Sequence, residues 1–187
     1  MDEEIVNKPK FQLSEFLKKN KSKIIILMIL IFVLILTAII FNEYRNKKNV
    51  NISIKYNKAK ILIENKKTDQ ALIILEDIIN KKNNFYSPSS LNLLIDNNLV
   101  KDKKKVLSYF DQIISNKKLD NETKNLFIFK KIVFIGDDIK ENELLSNLNP
   151  IIKSDSLWKS TISDYIKKYY LSKGEYNKAK EFEIFGN

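Results

Sequence analysis

From Ile24 to Phe41 the chain is apolar at every position except Thr37. A helix of that length rises roughly 27 Å at about 1.5 Å per residue, close to the roughly 30 Å hydrocarbon core of a bilayer. No charge interrupts the run, and it lacks the polar stripe that the core helix of a soluble domain shows. The pattern predicts a transmembrane helix over 24–41, a polar tail over 1–23 and a domain over 42–187. In that domain the apolar period becomes helical. Ala71, Leu75, Ile78 and Ile79 share one face, as do Val106, Leu107, Phe110, Ile113 and Ile114. Trp158, Ile162, Tyr165 and Tyr169 form a third face, with Lys159, Ser163, Asp164 and Lys167 opposite. Strand alternation is lacking, so the fold class expected is all-α, with eight helices after the span.

Punctuation supports the helices. Ser87 before Pro88 reads as an N-cap with proline at the first helical position. Asp120 reads as another, with Glu122 in the first turn. Asp155 or Ser156 is expected to cap the Trp158 helix, with Pro150 in the loop before it and a short helix near 141–147. Breaks within helix pairs fall at Lys66, Lys101, Gly136 and Gly174, spaced 35, 35 and 38 residues apart. Two helices per period of about 34 residues is the tetratricopeptide pattern, an α-solenoid of about four helical pairs. Ala71 and Ala179 lie five residues after Lys66 and Gly174, where a small side chain lets paired helices approach, and Ala59 holds the small position of the first helix. The same count offers Val106 and Glu141 in the middle repeats. An irregular helical bundle is the alternative.

Charge changes this picture little. The net charge is +10 from 33 Lys and Arg against 23 Asp and Glu, but Arg45 is the only arginine. Specific nucleic-acid readout leans on Arg forks and single-strand binding on aromatic platforms. Lysines spread over every polar face read instead as solvated surface, so no nucleic-acid partner is expected. The chain has no Cys and no His, which removes disulfides, thiol chemistry, imidazole catalysis and Cys/His metal sites. Its 3 glycines cannot build a phosphate loop. The acid pairs Glu3/Glu4, Asp137/Asp138 and Glu181/Glu183 sit in tails and turns, where acids are solvated. No catalytic, cofactor-binding or metal site and no small-molecule substrate is expected; a carboxylate–lysine enzyme is the alternative. Trp158, Tyr165, Tyr169 and Tyr170 read as core or as a ligand groove, and Tyr176 with Phe182 as the end of the stack.

The apolar run exceeds the usual signal-peptide length and no small-x-small site follows it, so a signal anchor is expected. Lys10, Lys18, Lys19, Lys21 and Lys23 before the span slightly outnumber Arg45, Lys47, Lys48 and Lys55 after it, favouring a cytoplasmic amino terminus. Phe11, Phe16 and Leu17 suggest a brief amphipathic turn in the tail.

One stretch carries a family resemblance. Residues 158–179, with Trp158, Asp164, Leu171, Gly174 and Ala179, resemble the last full repeat of the ancillary subunit of the bacterial SecYEG translocon, the YfgM-like tetratricopeptide family. Phe16, Lys18 and Lys19 before the span are similar to that family's aromatic-plus-basic run. The chain lacks the family's glycine before the span and most of its alanines in repeats two and three. The resemblance implies a single-pass bacterial inner-membrane protein with its amino terminus cytoplasmic and its repeat domain periplasmic. It further implies partners in the SecYEG translocon and a membrane-anchored periplasmic chaperone, with exported proteins handed between them.

Overall fold

The structure, a computed structural model, describes residues 20–183. Those residues are helical, with no strand among them. The tail features at Phe11, Phe16, Leu17, Lys18 and Lys19 lie outside the described residues. Contacts divide the chain into two units, Met1–Val50 and Asn51–Asn187. The division falls nine residues beyond Phe41, later than the boundary expected at 42, because no side chain over 42–50 is buried and the first to enter the domain core is Ile52.

Helix α1, Lys21–Glu64, carries the apolar run. Every side chain from Ile25 to Phe41 is exposed, so nothing in the described chain covers them. Ile24 is half-buried, while Phe41 is 61% exposed with the Arg45 guanidinium 5.9 Å from its ring. The one polar side chain of the run is satisfied within the helix, since the Thr37 hydroxyl donates to the Val33 carbonyl at 2.7 Å. By length and composition this helix can cross a membrane.

The second unit begins with the end of α1 and continues through α2 (Thr68–Asn80), α3 (Tyr86–Asp96), α4 (Lys103–Ile114) and α5 (Asn121–Ile135). A 3-10 turn, Gly136–Asp138, leads to α6 (Glu141–Ile152), α7 (Lys159–Ser172) and α8 (Tyr176–Glu181). Each helix from α2 onward packs on its successor. The starts of α2, α4, α6 and α8 are 35, 38 and 35 residues apart, and those of α3, α5 and α7 are 35 and 38 apart.

The fourth residue of each even-numbered helix is buried: Ala71, Val106, Leu144 and Ala179. The third is Leu144 rather than Glu141, because the 3-10 turn delays the start of α6. Residue size follows turn length. Alanine occurs where the pair is joined by the short turns 65–67 and 173–175, and Val or Leu where the turns run 97–102 and 136–140. Small side chains let paired helices approach closely, so residue size and turn length are expected to go together.

The turns themselves close on left-handed residues, with φ of +60° at Lys66, +50° at Asn98, +68° at Gly136 and +74° at Gly174. The second is Asn98, three residues before the expected Lys101, since α3 ends at Asp96 and asparagine tolerates this region. At Lys67, Leu99 and Glu175 the next N–H reaches back five residues to a helix carbonyl, the closure that satisfies carbonyls left over at a helix end. Gly136 differs: its ψ of −142° takes it to a region essentially reserved for glycine.

The apolar interior forms two clusters. The first gathers Ala59, Ala71, Leu75, Ile79, Leu91, Leu94 and Phe110, and ends on Phe127. The second begins at Ile132 and gathers Leu144, Leu148, Ile162, Ile166, Tyr170 and Ala179. Helix α5 serves both.

Several local expectations are corrected. Ser87 does not cap α3; its hydroxyl donates to the Ile78 carbonyl at 2.7 Å and accepts from the Asn83 N–H, while Asn83 Oδ1 accepts from Phe85 and Tyr86. Ser156 only partly serves as the cap expected for the Trp158 helix: its hydroxyl accepts from the Trp158 N–H at 3.3 Å, just ahead of α7, and donates to Glu122 of α5. Asp120 does cap α5, accepting from the Thr123 N–H at 2.8 Å. Pro150 lies inside α6, not in a loop, because Ile151 and Ile152 carry the helix onward into the core. Ser163 is buried instead of solvent-facing, and Leu171 is 40% exposed instead of packed. Tyr176 is exposed, leaving Phe182 alone to stack on Tyr170, with ring centroids 5.8 Å apart.

Candidate interaction surface

Three loops join successive pairs, over 81–85, 115–120 and 153–158, and they are laced together. The Asn116 side chain donates to the Lys82 carbonyl at 3.1 Å, tying the first loop to the second. From the third, Ser156 Oγ (2.8 Å) and the Leu157 N–H (3.1 Å) donate to the Glu122 carboxylate in the first turn of α5. The Trp158 indole N–H donates to the Glu122 carbonyl at 3.1 Å, and Asn125 Nδ2 donates to Ser156 Oγ at 3.2 Å. The turns within pairs are laced on their own side. Lys103 bonds Asp138 at 2.8 Å, and Lys178 and the Tyr170 hydroxyl both donate to Glu141, at 2.8 and 2.9 Å.

These ties hold several carboxyls below their ordinary range. Hydrogen bonds from Lys55 and Lys81 lower Asp77, those from Thr123 lower Asp120, Lys103 lowers Asp138, and Lys178 with Tyr170 lowers Glu141. Burial, with help from an acceptor carboxylate, pushes Tyr109 and Tyr170 up to about 12. The carboxyls are depressed on folding, so their stabilisation is present above the unfolded values near 4 and disappears as pH falls through the folded ones. The tyrosines are raised, so theirs is present below pH 10 and disappears as pH climbs toward 12. With no histidine in the chain, thermal unfolding should be flat between about pH 6 and 8 and decline only outside that plateau. A slope inside it would contradict this assignment.

Between the first turns of α5 and the end of α6 lies a groove of about 560 Å³. Ile128, Pro150 and Ile151 give it apolar lining, while Asn121, Asn125, Asn147, Ser146 and Ser154 line it with amides and hydroxyls. Such a lining can hydrogen-bond peptide groups, and Glu122, Asp155 and Ser156 complete it, with the Ser156 hydroxyl donating to the Glu122 carboxylate at 2.8 Å. Among the described residues no three His, Cys, Asp or Glu side chains gather as a metal site requires.

The residues singled out in the sequence take different positions. Ala59, Ala71 and Ala179 are buried between helices, and Gly136 and Gly174 occupy turns through positive φ. Trp158 is half-buried at the start of α7 and bonds α5, while Leu171 faces outward. Tyr165 packs edge-on against Phe129 at 5.3 Å and Tyr170 lies in the second cluster, so neither lines the groove. Sequence reasoning missed the Glu122–Ser156–Trp158 lacing. Its signal was a spacing of 34 to 36 residues, one repeat, between complementary polar groups. No protein-family model, curated protein or solved structure matches the chain.

Proposed function

We propose that the chain is a membrane-anchored, tetratricopeptide-like interaction module that holds a solenoid of four helical pairs beside protein partners in the same bilayer. The observation that carries this reading is repetition. Helix starts recur at 35 and 38 residues, and polar ties join groups one repeat apart, as in Asn116 with Lys82 and Ser156 with Glu122, each 34 residues apart. A stack in which every pair buries its face only against its neighbours presents an extended surface for peptide or helical segments. Residues 24–41 serve as the anchor, and tethering raises local concentration so that weak contacts suffice. By its resemblance the module works at the Sec translocon of a bacterial inner membrane, with the repeat domain periplasmic, passing exported proteins to a membrane-anchored chaperone.

The test is a photocrosslinking residue placed at Asn147, in the groove, in the full chain within native membranes. Translocon subunits and exported chains are the expected products. Recovery of cell-division or outer-membrane assembly proteins in their place would move the module to another envelope complex. A reporter fused after Asn187 that reads cytoplasmic would overturn the export reading.

A further inference from the structure

The loops between pairs carry charges of both signs: Lys81 pairs with Asp77, and Asp120 and Asp155 are exposed. Lys82, Lys117, Lys118 and Lys153 are exposed, and none of the four forms an ion pair among the described residues. The same loops carry two bare apolar side chains just ahead of α3 and α7: Phe85, 68% exposed, and Leu157, 82% exposed. The lacing of Asn116 to Lys82 and of Ser156 to Glu122 ties these loops together, so the four cations and two apolar tips lie along one edge.

We propose that this loop edge is a docking face for an anionic lipid surface. Unpaired lysines draw a surface toward anionic headgroups, and exposed apolar tips gain by entering the interfacial layer. Nucleic acid would satisfy the lysines but leave Leu157 and Phe85 without apolar partners. The proposal rests on the bilayer anchoring of residues 24–41 and on no protein partner. The anchor keeps the unit near a bilayer, where a contact too weak for free association is populated.

Trp158, the only tryptophan, adjoins Leu157 and reports on this edge. The full chain would be reconstituted in phosphatidylcholine vesicles with and without phosphatidylglycerol, with lipids brominated just below the headgroup as quenchers. Flotation with the vesicles establishes anchoring independently. Quenching of Trp158 should rise when phosphatidylglycerol is present and fall as salt is raised. Lys117→Glu with Lys118→Glu should cut the phosphatidylglycerol-dependent part several-fold, and Phe85→Ser should reduce it without touching the residue beside the probe. Circular dichroism would verify that both variants remain folded. A chain that floats but shows the same quenching in both lipids, or quenching indifferent to these variants, would overturn the proposal. A chain that does not float would overturn the anchor itself.

Discussion

Phe110→Ala should destabilise the second, helical unit by about 3–5 kcal/mol, the usual cost of emptying a buried aromatic site. Phe110 is 1% exposed, and its ring lies 6.2 Å from that of Phe127 and 5.8 Å from that of Phe134. It therefore joins α4 to α5 at the far end of the first cluster. Set against a typical domain stability of about 5–15 kcal/mol, the loss is a large share of the total. The loss should also be uneven. Trp158 packs against the second cluster, whereas Phe110 belongs to the first. In denaturant, on the full chain in detergent, far-UV circular dichroism should show a new early transition. Trp158 fluorescence should retain more of its original midpoint. Equal shifts in both signals would mean that the two clusters melt as one, against the division seen here.

Ala71→Phe tests the contact between paired helices. Ala71 has no exposed surface and sits behind a turn of three residues, 65–67, so the added ring has nowhere to go without parting α1 from α2. Overpacking of this kind typically costs about 1–3 kcal/mol. Leu144→Phe makes the internal comparison, because Leu144 holds the same position behind a five-residue turn, 136–140, and is already a large side chain. Thermal unfolding should fall clearly further for Ala71→Phe than for Leu144→Phe. Equal losses would separate residue size from turn length, and an unchanged Ala71→Phe would remove the packing position altogether.

The contrast between these positions shows what could be read from the sequence. Helix faces were legible because burial is periodic: Val106, Phe110 and Ile113 stand 3 to 4 residues apart, and all are buried. Asp120 was legible because a cap acts within one turn. Ser87 and Ser156 look identical to caps at that range, yet each donates its hydroxyl to a neighbouring helix, which local sequence does not encode. Pro150 misled for a related reason. Its ring disfavours a helix interior, but Ile151 and Ile152 gain enough by burial to continue α6 past it. Counting a fixed five residues from the turn found Ala71 and Ala179 and failed at Glu141, since turn length varies between repeats while position within the helix does not. The groove on α5 and α6 was illegible, because it is built from Asn and Ser, which also fill every loop of this chain.

Helix α5 gives Phe127 to one core and Ile132 to the other, five residues apart on a single backbone. Substitutions at sites without shared partners add independently, whereas those that share a neighbour do not. Each half of the domain is thus largely free to drift in sequence without consulting the other, except through this helix and the Lys103–Asp138 pair. A lineage that changed the packing of α6 to α8 would leave α1 to α4 largely untouched. The record of that history would be written in α5, whose two faces must answer to both halves and should change most slowly of all.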